Sequence, residues 1–395
     1  MLSVVRDVIG RLLQQLPNGW GSVTQIANAL GIERTLAWKI SRVGSAPDPF
    51  AAAQHLPGDR AMRRVWDAFA QIGADAALLD EARSALARFR SLEGHAEDRA
   101  SLSLLVGAQA TRGREDLDLT QRRAAFRASS YFLGASAHVL YDATFFVRSK
   151  ADPEFVDLAT IRGYRGLACL RHGVAWPIAR RVTSVEPDGQ VAHMGQPLIP
   201  EDVEQGVPVL RRFGSLDMPA LIRTESSDGI SRFAIEPRGL GKQGALDVFV
   251  GERYTCVTRA TPTPSEPNHA VAVHMRTPSR IAVIEQYIHR DLFGPLQMRA
   301  SAGSLVFGEP NLDEIQRGPE KGRGLHIPLF EKVEHLGRAD RAQAVRELRD
   351  HQQMAAFGAC GLGVDLSEMD LYRLTIEYPP EPSVVVMSAP LPTRE

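Results

Sequence analysis

A chain of 395 residues is too long for one ordinary hydrophobic core, so its length predicts two or three domains. Apolar residues make up 44% of the sequence and charged residues 24%, fractions that are typical of a globular protein and exclude general disorder. The formal net charge is -1, from 46 basic and 47 acidic residues, which excludes a strongly basic protein that binds nucleic acid through total charge.

The cysteines and the apolar runs indicate where such a protein resides. Cys169, Cys256 and Cys360 are far apart, which excludes a disulfide framework and a CxxC-type zinc site and suits a reducing cytosol. The longest apolar runs, such as residues 102–108, are too short to span a bilayer. We therefore expect a cytoplasmic protein that does not interact with a membrane.

The N-terminal 45 residues predict three short helices. Residues 2–15 interleave charged and apolar side chains, which indicates an amphipathic helix rather than a signal peptide. A second helix is predicted from residue 23 to residue 30, with Thr24 or its rival Ser22 as the N-cap. Gly31 follows at the position where a left-handed residue ends a helix at low cost. The third helix begins near residue 33 and ends by residue 44, and its apolar residues recur every three or four positions.

Residues 23–42 resemble the helix-turn-helix of bacterial DNA-binding regulators. The resemblance depends on the small residue Ala27, on Gly31 in the turn, and on the apolar anchors Leu30, Ile32 and Ile40. It implies that the third helix enters the major groove of double-stranded DNA. The side chains that would contact bases or phosphates are Arg34, Thr35, Trp38, Lys39 and Arg42.

Two residues of the third helix depart from this pattern. Ala37 is smaller than the aliphatic residue that such motifs usually carry there, and Trp38 is a large aromatic on the face expected to meet solvent. The alternative for Trp38 is that its side chain packs against the first helix or against the segment that follows the third helix. An ordinary helical hairpin in a protein-interaction domain is the other interpretation of the whole stretch.

The remaining sequence predicts an α+β multidomain protein. Residues 1–109 form the all-α helix-turn-helix domain with spacer or dimerisation helices, residues 110–119 a linker, and residues 120–395 a mixed domain with a mainly antiparallel sheet. Helices are expected at about 120–132, 155–171 and 338–357. Strands are expected at 136–148, 174–185, 246–260, 269–278, 280–292, 371–379 and 383–389, with a hairpin at 220–236.

No stretch of the sequence carries a recognisable catalytic, metal or cofactor motif. The histidines at 269, 274, 289, 326 and 335 lack the spacing of metal ligands, so we expect no metal site. The glycine-rich segments 238–245 and 358–363 lack a phosphate-binding spacing, and the second indicates the end of a helix around Cys360. The arginines at 112, 114, 122, 123 and 127 suggest a solvated face or pairs with acidic neighbours rather than a phosphate site.

The sequence therefore favours a DNA-binding transcriptional regulator. Its C-terminal domain would sense a small-molecule effector or bind a protein partner, the chain would form a homodimer, and no cofactor is expected. Two alternatives stay open: an enzyme of unidentified activity with the N-terminal helices as an assembly module, and a protein-interaction or structural module.

Overall fold

The chain contains two compact units, Met1–Gln121 and Arg122–Glu395. The first is helical and the second consists mainly of β-sheet, which confirms the predicted α+β class. No helix in the described part is long and apolar enough to cross a membrane. The computed structural model describes residues 1–16, 19, 21–91, 101, 106, 114–182, 195–198, 203–204, 207–217, 219–225, 230–263, 267–306 and 326–392.

Six helices of the N-terminal unit pack around one apolar core. Ile9, Ile26, Ile40 and Phe69 are fully buried in it, each from a different helix. The predicted apolar stripes therefore face inward, as expected for amphipathic helices. The helices are α1 (Leu2–Gln14), α2 (Val23–Leu30), α3 (Arg34–Ser45), α4 (Pro49–Gln54), α5 (Asp59–Gln71) and α6 (Ala76–Arg90).

Local hydrogen bonds fix both ends of α2. Ser22, not Thr24, is the N-cap, because its hydroxyl accepts from the Gln25 amide while the Gln25 side chain accepts from the Ser22 amide. These two reciprocal hydrogen bonds satisfy two backbone N–H groups that have no partner within the helix. At the other end Gly31 adopts the left-handed conformation, with φ of 61°, and the Ile32 amide donates to the Ala27 carbonyl at 3.1 Å.

A further helix, α7, runs over Arg114–Leu133. It begins inside the segment 110–119 that the sequence suggested as a linker, of which residues 110–113 lie outside the described part. It includes the helix expected at 120–132.

The C-terminal unit contains two main sheets and two smaller ones. Their strands are β1 (Ala135–Arg148), β2 (Phe155–Cys169), β3 (Trp176–Val182), β4 (Gln196–Pro197), β5 (Val203–Glu204), β6 (Val207–Pro208), β7 (Ile222–Glu225), β8 (Ile230–Ile235), β9 (Leu246–Arg259), β10 (Asn268–Met275), β11 (Ser279–His289), β12 (Arg299–Ser304), β13 (His326–Ile327), β14 (Glu334–Arg338), β15 (Met369–Glu377) and β16 (Ser383–Pro390). The described residues of the unit also form the helices α8 (Arg290–Phe293) and α9 (His351–Gly361).

The larger main sheet has the order β14-β15-β11-β1-β2-β9-β4, and the smaller has the order β10-β16-β12-β13. Only the pair β1–β11 is parallel among the described pairs of these sheets, so the expectation of a mainly antiparallel sheet is confirmed. The expected hairpin is the antiparallel pair β7–β8, whose tip at 226–229 lies outside the described residues.

Alternate residues of the central strand β1 enter two different cores. Tyr141 and Phe145 face the core that contains α9, whereas Leu140 and Phe146 face the core shared with Val385 and its neighbours on β16. The two main sheets therefore pack face to face on one side of β1. Both faces of β1 are buried along most of its length, which explains its nearly continuous apolar sequence.

The helix expected at 155–171 is wrong, because this segment is strand β2. Leu158, Ile161, Tyr164 and Leu167 recur every third residue and so imitate a helical period. In the strand these side chains point to opposite faces of the sheet. The pairing of β2 with β9 is irregular between Tyr164 and Leu167, which interrupts the alternation of side chains between the two faces.

The helix expected at 338–357 is also largely wrong. β14 ends at Arg338, a short 3-10 turn covers Ala339–Arg341, and α9 begins only at His351. The buried residues of the intervening segment, Ala342, Val345 and Leu348, are three residues apart, a spacing that drifts around an α-helix. Tertiary packing here overrides a high local helix propensity.

The turn after α2 gives the first testable prediction. Gly31→Ala leaves ample space for the new methyl group, so the expected loss comes from the left-handed backbone alone and is about 1–2 kcal/mol. Gly31→Asn is the matched control, because asparagine tolerates this conformation, and it should lose less. Hydrogen exchange of peptides from α1–α3 in the full chain measures the stability lost in each variant. Equal protection in both variants would contradict the conclusion that Gly31 ends α2 in the left-handed conformation.

Candidate nucleic-acid interface and polar clusters

Helix α3 has one fully packed face. Leu36, Ala37, Ile40 and Val43 are buried against the other helices of the unit, and Ala37 and Ile40 have no exposed surface. The small side chain of Ala37 is therefore fully enclosed by the apolar core of the unit. The apolar spacing that the sequence showed is the packing face of this helix.

The opposite face of α3 is exposed. All five residues expected to contact DNA lie there, and the structure brings them together on one surface: Arg34, Thr35, Trp38, Lys39 and Arg42. The helix contains no acidic residue. Within the described part of the chain Arg34 and Lys39 form no ion pair. The face therefore presents unneutralised positive charge to solvent.

Trp38 packs against the segment after α3 while staying partly accessible. Its side chain is 42% exposed, and its ring meets the ring of His55 edge-on, with the centroids 5.5 Å apart. The guanidinium of Arg42 lies 5.6 Å from the Trp38 ring centre, within the range of a cation–π contact. Trp38 thus supports Arg42 and leaves part of its own ring free to contact a ligand.

The acidic residue next to this face is engaged elsewhere. Glu33, the N-cap of α3, accepts from Arg64 of α5 at 3.3 Å. Both side chains are exposed, so the pair contributes little to stability. It nevertheless directs the carboxylate toward α5.

The arginines of α7 that the structure describes have different surroundings. Arg122 pairs with Glu331 at 2.7 Å. Arg123 lies 5.8 Å from the ring centre of Tyr378, and Arg127 is exposed. Arg112 lies outside the described residues.

The five histidines singled out in the sequence are dispersed. His289 contacts Glu368 at 3.5 Å, and His335 contacts Asp370 at 3.6 Å. His269 is buried and bonded to Gln286. Among the residues described, no group of three or more His, Cys, Asp or Glu side chains is arranged to hold a metal ion.

The glycine-rich segments form a turn and a helix end, and the three cysteines are not bonded to one another. Residues Gly241–Gly244 form a 3-10 turn, and α9 ends at Gly361, close to Cys360, as expected. Cys169, Cys256 and Cys360 are all free thiols.

A buried charge at the centre of the larger sheet was not foreseen. The Glu285 carboxylate on β11 has no exposed surface, and both Tyr141 and Tyr287 donate their hydroxyls to it at 2.8 Å. The Nε2 atom of His351 approaches it at 2.8 Å, and Nε of Arg373 donates to it at 2.6 Å. Four elements therefore supply partners to a single carboxylate.

Protonation of this group follows from its neighbours. Burial raises the pKa of Glu285, but the hydrogen bond and charge of His351 and the charge of Arg373 outweigh it and hold the pKa at about 2. Burial and the nearby Glu285 charge raise the pKa of Tyr141 and Tyr287 well above the usual range, so both phenols stay protonated and donate. The cluster is therefore an ionic core around a charged Glu285 near neutral pH, in which Nδ1 of His351 and one terminal nitrogen of Arg373 have no hydrogen-bond partner within the described structure.

The sequence held one signal for this cluster. Glu285 is the only charged residue in the run from Ile281 to Ile288, which is apolar except for Gln286, and a charge in such a strand needs buried partners. Three of its four partners are 66 to 144 residues away in sequence, so no local spacing reveals them.

Comparison with protein-family models gives no match for this chain. A search among curated proteins likewise finds no significant match. The functional interpretation therefore rests on the residues and their geometry.

The ionic core predicts a large loss of stability when one partner is removed. Arg373→Met leaves the Glu285 charge buried with less compensation and should cost about 3–5 kcal/mol in the free energy of unfolding. Arg299→Met on β12 is the matched control, because Arg299 is exposed and its loss should stay within about 0.5 kcal/mol. Urea denaturation near neutral pH measures both, and similar stabilities would contradict a compensating role for Arg373.

His269 predicts a pH dependence of stability. Burial lowers its pKa from 6.5 to about 4, against a smaller opposing effect of the Gln286 hydrogen bond. Between these values the unfolded chain binds a proton at His269 that the folded chain does not bind. The free energy of unfolding is therefore undiminished by His269 above pH 6.5, and it decreases as the pH falls toward 4. Over this pH range the free energy of unfolding of the wild type should decrease by about 3 kcal/mol more than that of His269→Gln. Parallel pH profiles in denaturation experiments would contradict the shift.

Proposed function

We propose that the chain is a DNA-binding regulator in which α3 enters the major groove of double-stranded DNA. The observation that carries this proposal is the exposed face of α3. It combines three basic side chains, a threonine and a half-exposed tryptophan, and it lies opposite a fully buried face. Such a division between a packed face and a reading face is what a recognition helix requires.

The dimensions of this face suit the major groove. Arg34 and Arg42 are eight residues apart on α3, which corresponds to about 12 Å along the helix axis. The major groove of B-DNA is about 12 Å wide, so both arginines fall within reach of one groove segment. Arginine and lysine donate to guanine edges or phosphates, and threonine contacts either.

The N-terminal turn of α3 adds to this arrangement. Arg34 is the first residue of the helix, where the free amides carry partial positive charge and favour a phosphate. Recognition helices contact base edges mainly with their N-terminal residues. Arg34 and Thr35 are therefore assigned to base contacts, and Lys39 and Arg42 to the backbone on either side.

A regulator of this kind acts as a homodimer. One α3 per protomer would enter successive major grooves, with the half-sites about one helical turn apart and related by the protein's twofold axis. The C-terminal unit is then available for an effector or a partner protein.

Alanine substitutions on the exposed face test this function. Arg34→Ala, Lys39→Ala and Arg42→Ala should each weaken binding by about 1–3 kcal/mol where a base is read bidentately, and a lost phosphate contact should lower the salt slope by about 1. Arg83→Ala is the matched control, because Arg83 lies on α6 and is paired with Asp80. The measurement is the affinity of the full chain for sequences enriched from genomic fragments, at several salt concentrations.

Two outcomes would contradict the proposal. The first is no retention of any fragment at low salt, where phosphate contacts are strongest. The second is equal loss of binding in Arg83→Ala and in the α3 variants, which would indicate a general effect of positive charge.

A further inference from the structure

One edge of the smaller sheet lacks the features that normally keep an edge strand from pairing with another chain. Natural edges are very short, are interrupted by bulges or prolines, or carry charged side chains. The edge strand β10 pairs with β16 along all of its 8 residues without a bulge. Its sequence contains no proline, lysine, arginine, aspartate or glutamate. β10 is therefore a long, regular and uncharged edge.

The other edges of the described sheets all carry such protective features. The pairing of β14 is interrupted by a register shift, β3 contains Pro177 and Arg181, and β7 contains Arg223 and Glu225. The strands β4, β5, β6 and β13 are each only 2 residues long. Among the described edge strands, β10 is thus the one best suited to accept a further strand.

The ladder between β10 and β16 determines which backbone groups face the open edge. The Leu391 amide donates to the Pro267 carbonyl at 3.0 Å, so these two residues are a hydrogen-bonded pair of the antiparallel ladder. Such pairs alternate with pairs that exchange no hydrogen bond. Every second residue from His269 onward therefore bonds to β16, whereas Ala270 and Ala272 direct their N–H and C=O groups away from it. No described strand pairs with this edge.

The opposite side of β16 shows the same alternation. The Leu305 amide donates to the Pro382 carbonyl at 3.2 Å, so Val384 and Val386 bond to β12. The residues between them are left to bond to β10, which agrees with the alternation that Leu391 sets.

A groove follows the open edge of β10. Its larger part, of about 410 Å³, is lined by residues 267–272, and an adjoining part of about 180 Å³ is lined by residues 272–274. The floor includes Leu158, Thr160 and Arg162 of β2, which lie on one face of the larger sheet because they are two residues apart. At about 3.3 Å per residue, the groove accompanies β10 over roughly 25 Å.

The lining of the groove favours apolar side chains. Phe146, Leu158 and Phe293 supply apolar surface in its larger part. The two arginines of this part, Arg162 and Arg259, each contact a carboxylate, at 3.0 Å and 3.3 Å. A chain that lies beside β10 would therefore direct apolar side chains toward the floor.

The extent of the larger sheet favours a single extended chain over a second copy of this protein. β9 and β4 follow β2 in the sheet order, and β9 contributes Val257 and Thr258 to the groove. Antiparallel pairing of β10 with β10 of a second copy would place the β9 strands of both copies in the same layer, where they would collide. A single peptide segment meets no such obstacle.

We propose that β10 binds an extended peptide segment of a partner protein by strand addition. The N–H and C=O groups of Ala270 and Ala272 pair with the peptide backbone, and every second peptide side chain is apolar and lies on the floor of the groove. In this mode of recognition the main-chain hydrogen bonds supply affinity and the pockets for alternate side chains supply specificity. The inference concerns the C-terminal unit alone and holds whether or not α3 binds DNA.

Peptide selection and backbone methylation test the site. A display library of random nine-residue peptides, panned against the immobilised full chain, should yield peptides with apolar residues at every second position. The best of them, as a synthetic fluorescent peptide, should bind with a Kd of about 100 µM or tighter. N-methylation of single peptide amides should weaken binding about tenfold at alternate positions and leave it unchanged between them, because only alternate amides face β10.

A variant of the edge assigns the binding to β10. Ala272→Pro removes an N–H group that points away from β16, and proline is tolerated at such positions of an edge strand. It should weaken the best peptide at least about tenfold, since one hydrogen bond is lost and the ring obstructs pairing. Ala272→Ser keeps the N–H group and is the matched control, which should bind like the wild type. Circular dichroism compares the folding of both variants.

Three results would overturn the proposal. The first is a selection that enriches no peptide, and the second is a series of N-methylated peptides without the two-residue period, a series that requires no variant of the chain. The third is a dimer in sedimentation experiments that Ala272→Pro dissociates, without peptide binding by the wild type, which would assign the edge to a second copy.

Discussion

The buried charge of Glu285 is the constraint on which the larger sheet depends. A carboxylate without exposed surface loses its hydration, and the effective penalty in proteins is several kcal/mol. Four side chains replace the lost water, and they come from β1, β11, β15 and α9. A slip of one residue in β11 would turn Glu285 to the opposite face, away from all of them. The charge thus favours one register of the central strands and fixes where α9 docks.

The opposite face of the same strands has a different character. On β1, Tyr141 faces the ionic core and donates to Glu285, whereas Asp142 lies on the opposite face and pairs with Arg162 of β2 at 3.0 Å. The core face is closed by helix α9, while the other face is covered only partly by the smaller sheet. The alternation of side chains along β1 therefore places the ionic core of Glu285 on one face of the sheet and a separate ion pair on the other.

The sequence predicted those features that depend on near neighbours. The order of α1, α2 and α3 follows from apolar spacing and from Gly31, because helix period and turn residue act within a few positions. The five exposed residues of α3 could be named for the same reason. The Ser22 cap was given as an alternative only, because Thr24 offers a similar hydroxyl two residues later.

Features that depend on distant contacts could not be predicted. Strand β2 imitates a helix because residues on both of its faces are buried, so its apolar residues do not alternate. The start of α9 at His351 is coupled to a partner 66 residues earlier. Local propensity carries no information about such pairs.

The near-neutral total charge says little about the charge of one helix face, because charges farther apart than about 8–10 Å are screened at physiological salt. What matters at α3 is that it contains no acidic residue and that Glu33 is directed to Arg64. Under the proposed function, a protein with so little general positive charge would bind random DNA weakly, and a preference for a specific site would come from the base contacts of this one helix.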